Sequence, residues 1–593
     1  MYNPAAGQMG GVPPTVYEES EGLPPQQMVI ARQPMMGNAP SLPDEVVAYL
    51  RHLYNMINDN NVNEIYNLYE YGFPDLTERF FRERFWPTEE TVAAALGLDE
   101  MQGYLFRHLY KDMYFRYVYG KIQRGGPSLD VRVRSYNNYH DLFLYVIQAS
   151  EPIGLDLPHQ WVWDIVDEFV YQFQSYCQYK VNPGKRAREE QEEFKRVEAG
   201  SDVWNLYPII NILYTLAGQS KVQEQLEAIS QGELAESVSD AFGNDPFYFK
   251  LGYFSLIGLL RIHTLMGDYN QALKTVQHLK FAPEALYNTV PSCLVSFHYY
   301  VGFCHLMRRE FTKATSIFVD CLTYITRTKH VTHHQQQQKA FQYDVIGKTN
   351  EQLYQLLGIC LALQPQRVDE NVHSQMVEKL GERWSRLQKG EKSEFKAAFL
   401  SGCPKFLNPT ATNADGAGGN NMAKEPVEAQ CQVFMDEMDS CCRIPVSRGY
   451  MRLYTTLAVP KLVELLSASN VDEWRKTGGQ VYFDDADAIA EYIDRELRVD
   501  DLDVAAMLMA HKHKMLVQDE QDVDEENSSD LDFYVDKGMI HIADTKVGRR
   551  VGEFFIKQIN KLKELNHKLQ HLQVGPRVIQ RQPVQQQASA PKH

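Results

Sequence analysis

In a chain whose apolar residues elsewhere recur at helical spacing, the stretch Leu531 to Lys546 breaks the rhythm and reads L-D-F-Y-V-D-K-G-M-I-H-I-A-D-T-K. Leu531, Phe533 and Val535 alternate with polar neighbours, Lys537-Gly538 follows, and Ile540 and Ile542 resume the alternation. Two short strands meeting at a glycine turn are the pattern of a β-hairpin. The same pattern selects the register. A two-residue turn at Lys537-Gly538 sets Val535 opposite Ile540 and Phe533 opposite Ile542, whereas a three-residue turn sets Phe533 opposite His541. The two-residue turn is therefore predicted. An isolated hairpin is marginal in water, so this apolar face must lie on something. Helical sequence flanks it on both sides, and a hairpin packed on a few helices late in a helical chain reads as a winged-helix unit.

At 593 residues the chain has room for about four domains of ~150 residues, although helical repeats run longer as one body. Its 34 Tyr and 28 Phe imply an aromatic interior or partner surface. A net charge of −17 makes the chain a poor generic nucleic-acid binder, because such binding rests on neutralising phosphates, so any RNA or DNA contact must come from a local basic patch. The nine cysteines form no Cys-x-x-Cys pair, and no charged start precedes an apolar core at the N-terminus. A reducing, cytoplasmic setting is expected. Apolar stretches such as Phe254 to Leu260 fall far short of the roughly 20 residues that span a bilayer, so no membrane contact is expected.

In chain order, residues 1–42 are rich in Pro, Gly, Gln and Met and read as a disordered tail. An N-terminal helical region follows over 43–200: Val46, Val47, Leu50, Leu53, Tyr54 and Ile57 share a face, and a second helix beginning at Ile65, Leu68 and Tyr69 is expected to stop at Gly72-Phe73-Pro74. Helical pattern continues through Leu105 to Tyr119, Tyr139 to Ile147 and Trp161 to Tyr179, and the charged run Lys185 to Glu198 reads as a solvated helix face. Residues 201–407 look repetitive. His263-Thr264-Leu265-Met266-Gly267-Asp268-Tyr269-Asn270-Gln271-Ala272 aligns, 42 residues on, with His305-Leu306-Met307-Arg308-Arg309-Glu310-Phe311-Thr312-Lys313-Ala314. In each, an apolar helix ends at a polar turn, an aromatic residue enters the next helix, and a small Ala lets the pair pack closely, a pattern that resembles tetratricopeptide repeats. Gly358-Ile359-Cys360 echoes Gly302-Phe303-Cys304.

A linker is expected over 408–428, and short amphipathic helices over Tyr454 to Leu466, Asp484 to Leu497 and Leu502 to Gln518. The acidic run Asp519 to Asp530 has seven carboxylates in twelve residues. Beyond the hairpin, Val551, Phe555, Gln558, Leu562, Leu565, Leu569 and Leu572 fall at alternating intervals of four and three, the seam of a helical bundle. This C-terminal helix, 547–573, is also basic: from Lys546 to Arg581 there are nine Lys or Arg against two Glu. Lys546, Arg549, Arg550, Lys557, Lys561, Lys563 and Lys568 are its candidate RNA or ribosome contacts. Residues 574–593 read as a second disordered tail.

Several motifs resemble chemistry and fail on inspection. Gly347-Lys348-Thr349 suggests a phosphate loop, but Gln342 stands where that motif needs its first glycine. His330, His333 and His334 sit beside Gln335 to Gln338 with no Cys or carboxylate ligand near in sequence. His511-Lys512-His513 with Asp524 resembles the ligand spacing of JAMM-type zinc isopeptidases. Lys512 and Gln521 depart from that pattern, and Leu508-Met509 with Met515-Leu516 implies a helix, on which residues two apart point about 200° apart. Vicinal Cys441-Cys442 reads as a packed pair. No catalytic, cofactor, metal or small-molecule site is expected.

The stretch Asp532 to Lys537 with Met539 to Val547, the segment Leu76-Thr77-Glu78-Arg79-Phe80-Phe81 and the start Tyr454-Thr455-Thr456 of the first winged-helix helix together resemble the PCI-domain subunits of eukaryotic translation initiation factor 3. The resemblance spans roughly Pro43 to Leu572. It implies a mostly α fold, a TPR-like solenoid followed by a winged-helix PCI module over 429–546 with a β-hairpin wing, and a C-terminal helix joining a shared bundle. It implies as partners other subunits of that complex, and the small ribosomal subunit through it, with mRNA recruitment as the outcome. Residues 470–498 look like an insertion relative to the family. A PCI subunit of the proteasome lid or the COP9 signalosome shares the fold, and an RNA-binding winged helix is the reading from another class.

Overall fold

The computed structural model describes residues 42–411, 424–476, 532–543 and 555–566, apart from short breaks at 100–102, 123–125, 183–187, 201–202, 283, 333–339, 442–443, 452 and 564. Helix α1 (Asp44–Asn58) buries Val46, Leu50, Leu53 and Ile57, the stripe that its spacing predicts. The stop expected at Gly72-Phe73-Pro74 is corrected. Helix α2 (Val62–Asn67) passes through a π-helical turn, Leu68–Gly72, straight into α3 (Phe73–Phe80). Pro74 follows directly on the π turn, in which Phe73 N donates to Leu68 O. Helices α4 (Glu89–Leu96), α5 (Tyr104–Lys121), α6 (Leu129–Ile147), α7 (His159–Val181) and α8 (Arg188–Gly200) follow. The charged run falls on α8, with Phe194 buried and Glu192, Glu193 and Arg196 exposed.

Polar side chains tie this N-terminal group together from within. Asp112 on α5, fully buried, accepts from Tyr139 Oη at 2.8 Å, Trp161 Nε1 at 3.0 Å and Arg116 Nη2 at 2.7 Å. Asp164 on α7 accepts from Tyr69 Oη at 2.6 Å and Arg116 Nη1 at 3.0 Å. Each bond offsets part of the cost of removing a carboxylate from water.

Helix pairs continue the chain: α9 (Leu206–Gln219), α10 (Val222–Gln231), α11 (Pro246–Leu265), α12 (Tyr269–Thr275), α13 (Pro291–Met307), α14 (Phe311–Thr332) and α15 (Ala340–Leu363). The two turns that align in sequence share one backbone form. Asp268 N donates to His263 O and Glu310 N to His305 O, both at 2.9 Å, with Gly267 and Arg309 at φ +84° and +66°. That is the left-handed cap which satisfies carbonyls at a helix end. Ala272 and Ala314, one turn on, are both fully buried. Gly302 on α13 faces the Phe318 ring of α14 so closely that a Cβ there would overlap it.

Helices α16 (Glu370–Leu380), α17 (Glu382–Lys389) and α18 (Lys392–Gly402) close the series, and Gly358 on α15 meets Leu380, which would lie 2.6 Å from a Cβ. Helix α19 (Glu425–Cys441) begins inside the predicted linker and lies across both turns. Gln430 accepts from Tyr269 Oη at 2.6 Å, Phe434 stacks on Phe399 at 4.4 Å between ring centres, and Glu437 pairs with Arg309. These three positions, four and three residues apart, share one face of α19.

After α20 (Ile444–Met451) the predicted helix from Tyr454 is corrected. Thr456–Ala458 forms a strand, β1, and α21 (Val459–Lys476) starts only after it, running past the expected insertion point at Asn470. Long-range pairing overrides the local helical pattern here, because β1 joins the hairpin strands β2 (Asp532–Asp536) and β3 (Met539–Ala543) in an antiparallel sheet of order β1-β3-β2. The molecule is mostly helical, and these three short strands form the one sheet among the described residues.

Candidate assembly surfaces

The sheet is the first place where the sequence candidates come together. Val535 pairs with Ile540 and Phe533 with Ile542, and Lys537 and Gly538 both take positive φ, +49° and +74°, as a two-residue type I′ turn requires. Leu457 of β1 sits beside Ile540. One face is packed: Phe533, Ile540 and Leu457 are buried, and Val535 and Ile542 are half-buried against the same core. The other face carries Tyr534, exposed and stacked on His541 at 4.8 Å between ring centres. Two backbone bonds fasten the hairpin to the chain entering α21: Ile542 N donates to Thr455 O and Val459 N to Gly538 O, each at 2.9 Å. Strand β1 is the element that sequence reasoning missed. Its three residues are too few to show a period, and only the alternation of Thr456 with Leu457 hinted at it.

The second group lies on the helix covering 555–566. Phe555, Leu562 and Leu565 of the predicted seam are exposed, at 59%, 64% and 50%. Ile556 and Ile559, which the seam spacing passes over, are exposed too, so the apolar strip is wider than two residues per heptad. Lys557, Lys561 and Lys563 are exposed on the same helix. Val551, Leu569 and Leu572 of the seam, and Lys546, Arg549, Arg550 and Lys568 of the basic set, lie outside the described residues, as do residues 477–531 with His511, His513, Asp524 and the acidic run.

Of the remaining motifs, the backbone decides one. Gly347-Lys348-Thr349 lies inside α15, where backbone N–H groups bond within the helix and cannot cradle a phosphate. His333, His334 and Cys442 are outside the described residues. Among the described residues no group of three or more His, Cys, Asp or Glu side chains is placed to hold a metal ion. No described helix is long and apolar enough to cross a membrane. Cys177, Cys293, Cys304, Cys321, Cys360, Cys403 and Cys431 are buried free thiols, and burial pushes Cys304 up to about 12, far from a reactive thiolate.

Fold and surfaces define a class: a long array of paired helices ending in a small antiparallel sheet, with an exposed apolar helix beyond it. Residues 131–562 match the family model described as Paf67, RNA polymerase I-associated factor PAF67. The chain is 50% identical to eukaryotic translation initiation factor 3 subunit L of Brugia malayi over 544 residues, 91% of this chain and 94% of that protein. It is 46% identical to the subunit L of Caenorhabditis elegans, covering 90% and 94% of the two chains. With the subunit L of Homo sapiens it shares 36% identity, covering 95% and 97%. The chain belongs to the eukaryotic translation initiation factor 3 subunit L family, which is also the Paf67 family its model match indicates. The names of the matched family and relatives are those of an associated factor and an initiation-factor subunit, not of an enzyme.

Proposed function

We propose that this chain is a non-catalytic scaffold subunit of the eukaryotic translation initiation factor 3 complex, acting in the cytoplasm to help that complex bind the small ribosomal subunit and recruit mRNA. The observation that carries the reading is similarity at 36–50% identity to proteins named as its subunit L, covering at least 90% of this chain. The work is assembly. Helical pairs over 201–407 and a winged-helix PCI part over 429–546 position neighbouring subunits, and the C-terminal helix over 547–573 docks into a shared bundle.

Exposed Phe555, Leu562 and Leu565, with Ile556 and Ile559 beside them, support the bundle role, because an apolar strip this broad is costly to leave in water. Lys557, Lys561 and Lys563 on the same helix are the candidates for RNA or ribosome contact. The test is affinity purification of the complex through a tagged Leu562→Asp or Leu565→Asp chain. A carboxylate on a desolvated seam is expensive, so these variants are expected to come away without the other subunits. Recovery of the intact complex through either variant would refute the bundle role.

A further inference from the structure

Further exposed apolar side chains lie far from the C-terminal helix in sequence, on α10 and the loop after it. Helix α10 turns Val222, Gln225 and Ala228 inward, while Ile229 is 52% exposed. Leu234 and Val238, in the loop that follows, are 76% and 36% exposed. That loop is held in place. Gln225 Nε2 donates to Ser220 O at 2.9 Å and to Gly243 O at 3.0 Å, and Lys221 pairs with Asp240 at 3.0 Å, so residues 232–243 fold back along α10 to its own start. Ile229, Leu234 and Val238 are thus exposed on a segment that is itself held in place. Tyr207, at the start of α9, is 73% exposed as well.

The charge along this segment is mostly negative, with Lys221 at its edge already paired to Asp240. From Val222 to Phe249 there are six carboxylates and no Lys or Arg, and Glu224, Glu227 and Glu233 are exposed. Phosphate backbones and anionic lipid headgroups are repelled by such a rim. An acidic or neutral protein surface leaves the carboxylates without partners. A segment with apolar anchors between cationic side chains satisfies both the patch and its rim.

We propose that α10 and the 232–240 loop form a docking surface for a basic amphipathic segment of a partner protein, with Ile229, Leu234 and Val238 receiving its apolar side chains and Glu227 and Glu233 its cations. The surface is independent of the C-terminal helix, so either can fail without the other.

The experiment is fluorescence anisotropy of the full chain with three labelled probes: a 20-residue amphipathic peptide of Leu and Lys, the same peptide with Glu for Lys, and oligouridine RNA of similar length. Ile229→Ser with Leu234→Ser removes the apolar anchors, and Glu227→Gln with Glu233→Gln removes the rim. All four side chains are exposed, so the fold is kept. Glu378→Gln with Glu382→Gln, exposed on α16 and α17, removes equal charge elsewhere. The expected result is binding of the Lys probe alone, weakened about tenfold by either patch variant and unchanged by the control pair, which corresponds to about 1.4 kcal/mol. Hydrogen-exchange protection by the Lys probe should fall on 222–240. Equal weakening by the control pair would reveal only the general field of an acidic chain and overturn the proposal. So would absence of Lys-probe binding, or RNA binding that the patch variants abolish.

Discussion

Gly267 and Arg309, 42 residues apart, hold the same left-handed backbone conformation at the same point of two successive helix turns. Glycine adopts it freely, whereas arginine does so against a steric penalty of about 1–2 kcal/mol. Arg309 has a compensating contact in Glu437 of α19, while Gly267 lies against Gln430 of the same helix, two turns earlier. One helix thus bridges two equivalent turns through residues seven apart.

The asymmetry predicts unequal responses to substitution. Gly267→Ala places a Cβ 2.6 Å from Gln430 Nε2 at a φ that alanine resists, and is expected to cost about 1–2 kcal/mol. Arg309→Gly relieves the backbone while losing a half-exposed ion pair, so its net effect is expected to stay within about 1 kcal/mol. Thermal melts of the two variants decide this. Equal losses would contradict the asymmetry.

The carboxylates among α5 and α7 give a pH dependence. Burial pushes Asp112, Asp164 and Glu168 each up to about 7, while hydrogen bonds from Trp161 and Tyr139 to Asp112, and the Arg116 charge beside Asp164, hold them back. In the unfolded chain they titrate near 4, so between about pH 4 and 7 the folded state binds more protons and its stability falls as pH rises. Above about 7 this contribution levels off. Asp112 is fully buried, whereas Asp164 keeps 16% of its side chain exposed. Melting temperature against pH should show a shallower decline in Asp112→Asn than in the parent chain, and a parallel decline would exclude Asp112 as its source.

The two faces of the sheet should behave differently. Phe533→Ala empties a buried site and is expected to cost about 3–5 kcal/mol, felt first as faster hydrogen exchange at the amides of Ile542 and Val459, which fasten the hairpin to the chain entering α21. Tyr534→Ala, on the exposed face, should stay within ~0.5 kcal/mol. Similar exchange rates in both variants would contradict the packing of this module.

Much of this was legible in the chain. The hairpin register could be read because a period of two leaves only one turn length that keeps Phe533, Val535, Ile540 and Ile542 together. The equivalence of the turns at Gly267 and Arg309 could be read from the residues around them, although Arg309 itself gave no sign of left-handed backbone. Strand β1 could not, since Leu457 owes its strand to Ile540, far along the chain. Nor could the π-turn at Leu68–Gly72, which lets a helix run through a Gly-Phe-Pro sequence that ordinarily ends one. The Asp112 network draws single polar residues from several helices, a pattern with no period to detect. At the C-terminal helix, a seam rule of three and four found Phe555, Leu562 and Leu565 but passed over Ile556 and Ile559, whose exposure depends on what packs against the helix.

The central claim is membership of a translation initiation assembly, and sucrose-gradient sedimentation of the tagged chain from cell lysate, with mass spectrometry of the fractions, tests it most directly. Co-migration with initiation factor 3 subunits and small ribosomal subunits is the predicted result. Migration with proteasome-lid or signalosome subunits, or as a free protein, would contradict it.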